Sequence, residues 1–307
     1  MMSAVIDARG LTKQFGTRVA VNHIDLSVSN GQIFGLLGPN AAGKSTTIRL
    51  LTGILLPDAG TAQVLGMDLL TETTSIKEHT GYVAQHFALY PELTVTENLS
   101  FYSGLYQHIS KNDLQCLLER YGLMQFANQR TGTLSGGYKR RLSIACAVSH
   151  EPDLIYLDEP TAGIDPVTRK DLWEQFYDLA AAGKTLFVTT HYMEEAERCH
   201  QLAFIHQGKL VAHDTPERIK QSLQGYKVFA SRVNYDPLLS KTLKSMDRIY
   251  VLNQFGEELR IVADSSLAAD ELNACIKRHT NLDANVKEVP VSIEDAFMTL
   301  TRDNKVQ

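Results

Sequence analysis

The chain has 307 residues, and at roughly 150 residues per domain this length predicts two domains. Hydrophobic residues make up 44% of the chain and charged residues 21%, so it can bury a sizeable core, and a mainly disordered polypeptide is excluded. The net charge of -5 gives no overall attraction to nucleic acid, and the longest apolar runs are far shorter than the ~20 residues that cross a bilayer, so we expect a soluble, unsecreted protein.

The first elements are predicted to be strands. Residues 3 to about 30 alternate apolar and polar positions, which is typical of half-buried antiparallel strands. After the turn dipeptide Asn30-Gly31, the run IFGLLG (33–38) fits a strand that is buried on both faces. A Gly/Pro-rich loop follows it, and STTIRLLTGIL (45–55) then has helical spacing. The order is therefore strand, loop, helix.

The middle of the chain is predicted to be an α/β sheet with a helical insertion. Helical spacing from Pro91 to about Arg130, with another helix after Ser135, indicates a helical subdomain over about residues 87–150. The runs LIYLD (154–158) and TLFVTT (185–190) are typical of buried parallel strands, with a helix between them over about residues 169–181.

The pattern changes beyond Gln224, and we place a domain boundary near residues 221–225. The predicted elements are a strand (227–233), a helix (237–246), a hairpin (248–262), a helix (267–279) and a strand (285–291). This βαββαβ order predicts a small ferredoxin-like α+β domain over residues 225–307. A last helix should start near Ser292, where Ser292 and Asp295 could form a cap.

The loop after the buried strand matches a phosphate-binding P-loop. The sequence GPNAAGKST comprises Gly38, Pro39, Asn40, Ala41, Ala42, Gly43, Lys44, Ser45 and Thr46. Phosphates need backbone N–H groups that approach closely and the positive end of a helix, which the glycines and a helix near Lys44 would provide. Lys44 would then reach the β- and γ-phosphates, and the Ser45 hydroxyl would bind Mg²⁺. A chance Gly-rich turn is the alternative.

Two further motifs fit nucleotide chemistry. LIYLDE ends a strand with adjacent carboxylates: Asp158 suits Mg²⁺, and Glu159 is placed to polarise an attacking water. Alone, such a strand end could be only a solvated turn. LSGG (134–137) places Ser135, Gly136 and Gly137 before a helix, which makes a second anion-binding turn.

The P-loop, LSGG and LDEP occur in this order, and over about residues 3–223 the chain resembles the ATP-binding subunits of ABC transporters. The resemblance implies a P-loop NTPase core of the ABC type with an antiparallel β subdomain. It also implies roles for four further residues. Phe15 would lie against adenine, Gln85 would sense Mg²⁺ and the attacking water, His191 would contact the γ-phosphate, and Asp165 would contact a partner subunit.

In that family two copies pack head to tail with ATP between them, and a separate membrane permease carries the substrate. The segments YPELTVTENLSFY and HYMEEAERC resemble subunits of ABC-2 type exporters, the group of drug-resistance proteins. The resemblance therefore implies ATP and Mg²⁺ as cofactors, a homodimer, and a peripheral location on the cytoplasmic face of the inner membrane. The segment 225–307 would serve dimer contacts or regulation.

Three positions depart from the family pattern, and two other functions stay open. Ala41 replaces a common glycine, Tyr138 follows LSGG where glutamine or methionine is usual, and His200 replaces an aspartate. The main alternative function is a non-transport ABC ATPase acting in translation or on DNA, although no basic arm suggests nucleic-acid binding. A catalytically inactive regulatory subunit is disfavoured because the expected lysine, carboxylates and histidine are all present. We expect Lys139, Arg140 and Arg141 to serve packing and surface charge.

Overall fold

The computed structural model describes residues 4–106, 109–280 and 284–303. The expected domain limits at residues 3 and 307 lie outside the described residues. The chain forms two compact units, Met1–Leu210 and Val211–Gln307. This division precedes the expected boundary at residues 221–225, because the helix Pro216–Gln221 packs against the last helix of the second unit. Within the described residues, no helix is long and apolar enough to span a membrane.

In the first unit the strands are β1 (Ala4–Phe15), β2 (Arg18–Ser29), β3 (Ile33–Leu37), β4 (Ala59–Val64), β5 (Met67–Asp68), β6 (Thr80–Val83), β7 (Leu154–Asp158), β8 (Thr185–Thr190), β9 (Gln201–His206) and β10 (Lys209–Asp214), the last of which crosses into the second unit. The helices are α1 (Lys44–Leu51), α2 (Thr73–Glu78), α3 (Val95–Gly104), α4 (Lys111–Arg120), α5 (Gly136–Val148), α6 (Pro166–Ala181) and α7 (Met193–Ala196).

A parallel sheet forms the centre of the first unit. Its strands lie in the order β9-β3-β8-β7-β6, with β10 at the β9 edge. All residues of β3, β7 and β8 are buried, as expected for apolar runs that are covered on both faces. Leu37 pairs with Thr190, and Asp158 pairs with Thr189, so the loops that follow these three strands meet at one edge of the sheet.

The two predicted subdomains of this unit are present. The strands β2-β1-β4-β5 form an antiparallel sheet, and alternation along β1 and β2 buries one face against the core. The helical segment contains α3, α4 and α5, and α3 begins with a capping box between Thr94 and Glu97. Helix α6 begins three residues earlier than predicted, because Asp165 caps it and Pro166 occupies its first position.

The second unit contains α8 (Pro216–Gln221), β11 (Tyr226–Arg232), α9 (Pro237–Lys244), β12 (Ile249–Phe255), β13 (Glu258–Asp264), α10 (Ala269–Thr280), β14 (Lys287–Val289) and α11 (Ile293–Asp303). Its strands form a sheet in the order β12-β13-β11-β14, and the β12–β13, β13–β11 and β11–β14 pairs are antiparallel. From β11 to β14 the element order is the βαββαβ order predicted from the sequence. Apolar residues of α9 and α10 pack on this sheet. The expected cap of α11 is also present, because Asp295 N–H donates to Ser292 Oγ (3.1 Å).

Candidate functional site

The loop between β3 and α1 has the backbone that a P-loop requires. Gly43 adopts φ +116° immediately before α1, and a Cβ atom there would lie 2.5 Å from Ala20 O. A Cβ atom on Gly38 would lie 2.3 Å from Ile205 O. Both positions therefore need glycine, and the loop presents its backbone at the N-terminus of α1.

Lys44, the first residue of α1, points back into this loop and is buried. Its Nζ donates to Gly38 O (2.8 Å) and to Pro39 O (3.2 Å). The same ammonium lies 3.0 Å from Glu159 Oε1, and both side chains are less than a tenth exposed. The P-loop lysine and the strand-end glutamate thus form a buried ion pair.

Glu159 is the centre of the site. It has φ +47°, a left-handed conformation that is unusual for glutamate, and its N–H donates to Thr189 O (3.1 Å) and Thr189 Oγ1 (3.0 Å). Its second carboxylate oxygen, Oε2, accepts from Gln85 Nε2 (3.2 Å) and lies 3.1 Å from His191 Nδ1. Three side chains from separate segments, those of Lys44, Gln85 and His191, therefore fix this one carboxylate.

Asp158 lies beside the start of α1. Ser45 Oγ donates to Asp158 Oδ1 (3.1 Å), and Thr189 Oγ1 donates to the same oxygen (2.7 Å). A serine hydroxyl, an aspartate carboxylate and the nearby Gln85 amide are hard oxygen donors of the kind that Mg²⁺ prefers. The residues predicted to hold a metal thus form a donor set that fits this ion.

A cleft of about 690 Å³ opens over these groups. The predicted residues that line it are Phe15, Asn40, Ala41, Gly43, Lys44, Ser45, Thr46, Gln85, Glu159 and His191. Phe15 is 48% exposed at the rim, so it is not a core residue. Ala41 has φ +63°, the strained conformation in which the departure from glycine carries a cost. Gly38, Pro39, Ala42 and Asp158 belong to the adjoining backbone and strand end.

The remaining predicted residues lie on a different surface. Ser135 and Gly136 are exposed at the start of α5, and Asp165 is exposed at the start of α6. The two helix starts are neighbours, because a Cβ atom on Gly137 would lie 3.0 Å from Thr168 Cγ2. Within the described chain, these residues do not line the cleft. The sequence motifs therefore lie on two separate surfaces of one copy.

The caps of these two helices differ. Asp165 accepts from the N–H groups of Val167 (3.1 Å) and Thr168 (3.0 Å), and hydrogen bonds to Thr168 hold the pKa of Asp165 below its ordinary value. Ser135 makes no side-chain cap hydrogen bond with the described residues of its own helix. Its hydroxyl is therefore available to an external acceptor.

Three functional contacts were not found by sequence reasoning. Thr189 holds both Asp158 and Glu159, as described above. Arg140, which we expected to serve packing and surface charge, is 2% exposed and donates to Ala84 O (2.8 Å) and Gln85 O (2.9 Å), so it supports the backbone at Gln85. Glu195 is a fully buried carboxylate on α7. The sequence carries no local signal for the contacts of Thr189 with Asp158, Arg140 with Gln85 and Glu195 with Thr161, because each pair is about 30 or more positions apart.

Two departures from the family pattern have structural explanations. Tyr138 packs on Phe126 with their ring centroids 4.3 Å apart, so its ring contacts an aromatic residue of its own chain. His200 Nδ1 accepts from Ile33 N–H (3.0 Å), and His200 N–H donates to Ile33 O (2.9 Å). His200 therefore satisfies both backbone hydrogen-bonding groups of Ile33, the first residue of β3.

A buried strand, a phosphate-binding loop, a helix and two carboxylates on a neighbouring strand define a P-loop nucleotide-binding protein. The family model described as "ABC transporter" matches residues 21–162. A Nod factor export ATP-binding protein I from Burkholderia orbicola is 41% identical, with 98% of each chain covered. The chain therefore belongs to the ATP-binding proteins of ABC transporters, and it is an ATP-binding ABC ATPase.

Two other comparisons agree. A probable multidrug ABC transporter ATP-binding protein, YbhF from Escherichia coli, is 45% identical over 219 residues, which are 70% of this chain and 38% of YbhF. The chain thus matches less than half the length of that relative. A dimeric post-hydrolysis ATP-binding cassette bound to ADP and phosphate has a TM-score of 0.64 and 25% identity, covering 68% of this chain and 98% of that one.

Proposed function

We propose that the chain drives substrate export by an ABC transporter, as a head-to-tail dimer that binds ATP between a P-loop of one copy and Ser135–Gly137 of the other. One observation carries this proposal. The cleft and the Ser135 surface lie apart on a single copy, and Ser135 caps nothing in its own helix among the described residues. A second copy would complete each site. The names of the relatives, multidrug and Nod factor export proteins, support export as the direction.

On ATP binding, phosphate would replace the Glu159 carboxylate as the partner of the Lys44 ammonium. The backbone N–H groups of the P-loop and the N-terminus of α1 attract the phosphates. Lys44, which pairs with Glu159 in this structure, would turn its ammonium to the β- and γ-phosphates. Bound Mg²⁺, held by Ser45, Gln85 and Asp158, would neutralise charge that builds on the phosphates. The exposed ring of Phe15 at the rim offers an apolar face to the adenine.

Hydrolysis would use Glu159 as the general base. Once Lys44 has moved to the phosphates, Glu159 Oε1 is free to accept a proton from a water placed in line with the γ-phosphate. Gln85 and His191 hold the other oxygen, Oε2, at 3.2 and 3.1 Å, so the carboxylate keeps its direction. His191, 32% exposed, also reaches toward the cleft, where it would contact the γ-phosphate.

Release of the γ-phosphate would open the dimer and move the permease, for which we propose an ABC-2 type partner. A groove of about 260 Å³, lined mainly by the segment after β6, the end of α3 and α5, offers a docking surface for a permease helix. Leu105 is 63% exposed at this groove. Arg140 donates to the carbonyl of Ala84, which lines the groove, and to that of Gln85, so permease movement would reach the ATP site. Because ATP is supplied in the cytoplasm, we place the subunit on the cytoplasmic face of the inner membrane.

The composite ATP site is tested by light scattering with ATP and Mg²⁺. In Glu159→Gln, which should bind ATP but lose about 10² to 10⁴ in turnover, we expect a stable ATP-dependent dimer. Adding Ser135→Ala should weaken that dimer with little effect on monomer stability, since the hydroxyl caps nothing in its helix. Ser110→Ala is the control: Ser110 accepts from Asp113 N–H and caps α4, so its loss should reduce stability but leave the dimer intact. Monomers only, in ATP-loaded Glu159→Gln, would contradict the proposal.

The permease surface is tested by co-purification with a co-expressed permease. Leu105→Glu places a charge in the groove and should abolish capture while basal ATPase activity stays unchanged. Leu56→Glu is a matched control, because Leu56 is 65% exposed but does not line this groove. Equal capture of both variants would remove the groove from the proposal.

For residues 225–307 we propose a role in dimer contacts or regulation. Tyr235 and Leu238, each 65% exposed at the start of α9, are apolar groups that a second copy could cover. The double substitution Tyr235→Glu with Leu238→Glu should weaken dimers or alter ATPase regulation. No change in either property would argue against a role for this surface.

A further inference from the structure

We propose that Glu195 is a positioning residue that couples the segment carrying Asp165 to the segment carrying His191, so that contact with a second copy sets the histidine for hydrolysis. This inference rests on the proposed roles of His191 and Asp165. It concerns a buried side chain that does not line the cleft, and it adds a link between the two separate surfaces of one copy.

The carboxylate of Glu195 binds one hydroxyl from each segment. Glu195 is 1% exposed on the short helix α7. Thr161 Oγ1 makes a short hydrogen bond to its Oε1, and Thr190 Oγ1 donates to its Oε2 (2.7 Å). Thr161 opens the segment that leads to Asp165, and Thr190 directly precedes His191. One buried carboxylate therefore joins two loops that are about thirty positions apart in the sequence.

The guanidinium of Arg169 lies at the same junction. Arg169 Nε lies 3.9 Å from Glu195 Oε1, and its Nη2 donates to Ile164 O (3.4 Å), next to Asp165. The guanidinium also lies over the ring of Tyr192, 4.4 Å from the centroid. Arg169 thus contacts both segments as well as the carboxylate. A buried carboxylate is tolerated only with such partners, and losing one of them leaves the others under-satisfied.

The consequence is a continuous set of contacts from the dimer surface to the catalytic carboxylate. It runs from the Asp165 segment through Thr161, Glu195 and Thr190 to His191, whose Nδ1 lies 3.1 Å from Glu159 Oε2. Displacement of the Asp165 segment would therefore displace His191. A carboxylate that served folding alone would change stability when removed, without changing the rate of hydrolysis in protein that remains folded.

The test compares the steady-state kcat and KM for ATP and the thermal midpoint of four variants of the full chain. Glu195→Gln keeps the volume and removes the charge, and Thr190→Val keeps the shape and removes the hydroxyl. We expect each to lower kcat about tenfold, with KM within about twofold. Thr190→Ser keeps the hydroxyl and should retain the parental kcat. Thr185→Val is the control, because Thr185 is equally buried at the other end of β8 and donates to Asn30 Oδ1. It should lower the midpoint and leave kcat unchanged.

The Glu195/Thr190 double variant and His191→Ala are measured in the same way. Because Glu195 and Thr190 belong to one contact path, the double variant should be no slower than the slower single variant. If Glu195→Gln and Thr190→Val lower only the thermal midpoint, or if their effects on kcat multiply, the inference is overturned. His191→Ala separates this result from the proposed function. If it loses turnover while Glu195→Gln does not, the role of His191 stands and the coupling fails. If His191→Ala keeps full turnover, the proposed role of His191 fails first.

Discussion

The buried pair of Lys44 with Glu159 predicts that Glu159→Gln binds ATP more tightly than the parent chain. In the proposed exchange the phosphates of ATP take up the ammonium that Glu159 holds at 3.0 Å, and the carboxylate would also repel the incoming phosphates. Glutamine keeps the shape and removes the negative charge. Lys44 would keep its hydrogen bonds to Gly38 O and Pro39 O, so the loop stays in place.

The size of the effect follows from the pair. Two unit charges at this separation attract by about 5 kcal/mol at an effective dielectric constant of 20, and most of this is regained when the ammonium meets phosphate. We expect a net gain of about 1 to 2 kcal/mol, which is about 5- to 30-fold in the dissociation constant. Removing one member of a buried pair is itself costly, by about 3 to 5 kcal/mol, so the variant without nucleotide should be less stable. Added ATP should restore much of that stability.

The measurement is calorimetric titration of ATP in excess EDTA, so that neither hydrolysis nor metal binding contributes. A thermal melt with and without ATP accompanies it. Glu92→Gln is the matched control, because Glu92 pairs with Arg130 on an exposed surface and should leave ATP affinity unchanged. If Glu159→Gln binds ATP no more tightly than the parent, Glu159 does not compete with phosphate for Lys44, and the exchange step is wrong.

Three further predictions test the surroundings of the site. Ala41→Gly should raise the free energy of unfolding by about 0.5 kcal/mol, because glycine relieves the strain of φ +63°, and chemical denaturation measures this change. Gly43→Ala should abolish ATP binding, because its Cβ would meet Ala20 O, and ATP titration measures that loss. Arg140→Met should cost about 1.5 to 3 kcal/mol of stability and lower kcat, with Arg141→Met as a milder comparison, since Arg141 has a partly exposed partner in Asp171. Burial lowers the pKa of His150 below its ordinary value of 6.5, so the unfolded chain binds this proton more readily. The contribution of His150 to the free energy of unfolding should therefore be fully present above pH 6.5 and be lost as the pH falls. His150→Phe keeps the stacking on Tyr106 and should flatten the slope of the thermal midpoint against pH.

Much of the site could be predicted because its motifs are continuous in the sequence and follow parallel strands. β3, β7 and β8 end at the same edge, so Lys44, Glu159 and His191 meet although their sequence positions are far apart. The start of α11 could be predicted from its cap, which depends on neighbouring residues, whereas α6 begins at Pro166, three residues before its predicted start. Local chemistry was therefore a sufficient guide to the strand ends and to α11.

Other features depend on tertiary packing and could not be predicted. The pair between Lys44 and Glu159, the support of Gln85 by Arg140, and the two hydroxyls on Glu195 each join separate segments. In the sequence, Arg140 is one of three consecutive basic residues, and only its burial separates it from its neighbours. The division between the units also depended on packing, because α8 joins the second unit through its contact with α11.

The left-handed backbone of Glu159 makes this position a poor target for stabilising substitution. Glycine would relax φ +47° by about 1 kcal/mol, and asparagine tolerates that conformation better than glutamate does. Either replacement leaves the Lys44 ammonium buried without its carboxylate, which costs more free energy than the relaxed backbone gives. Directed evolution of a hardier protein should therefore hold Glu159 constant and vary residues elsewhere.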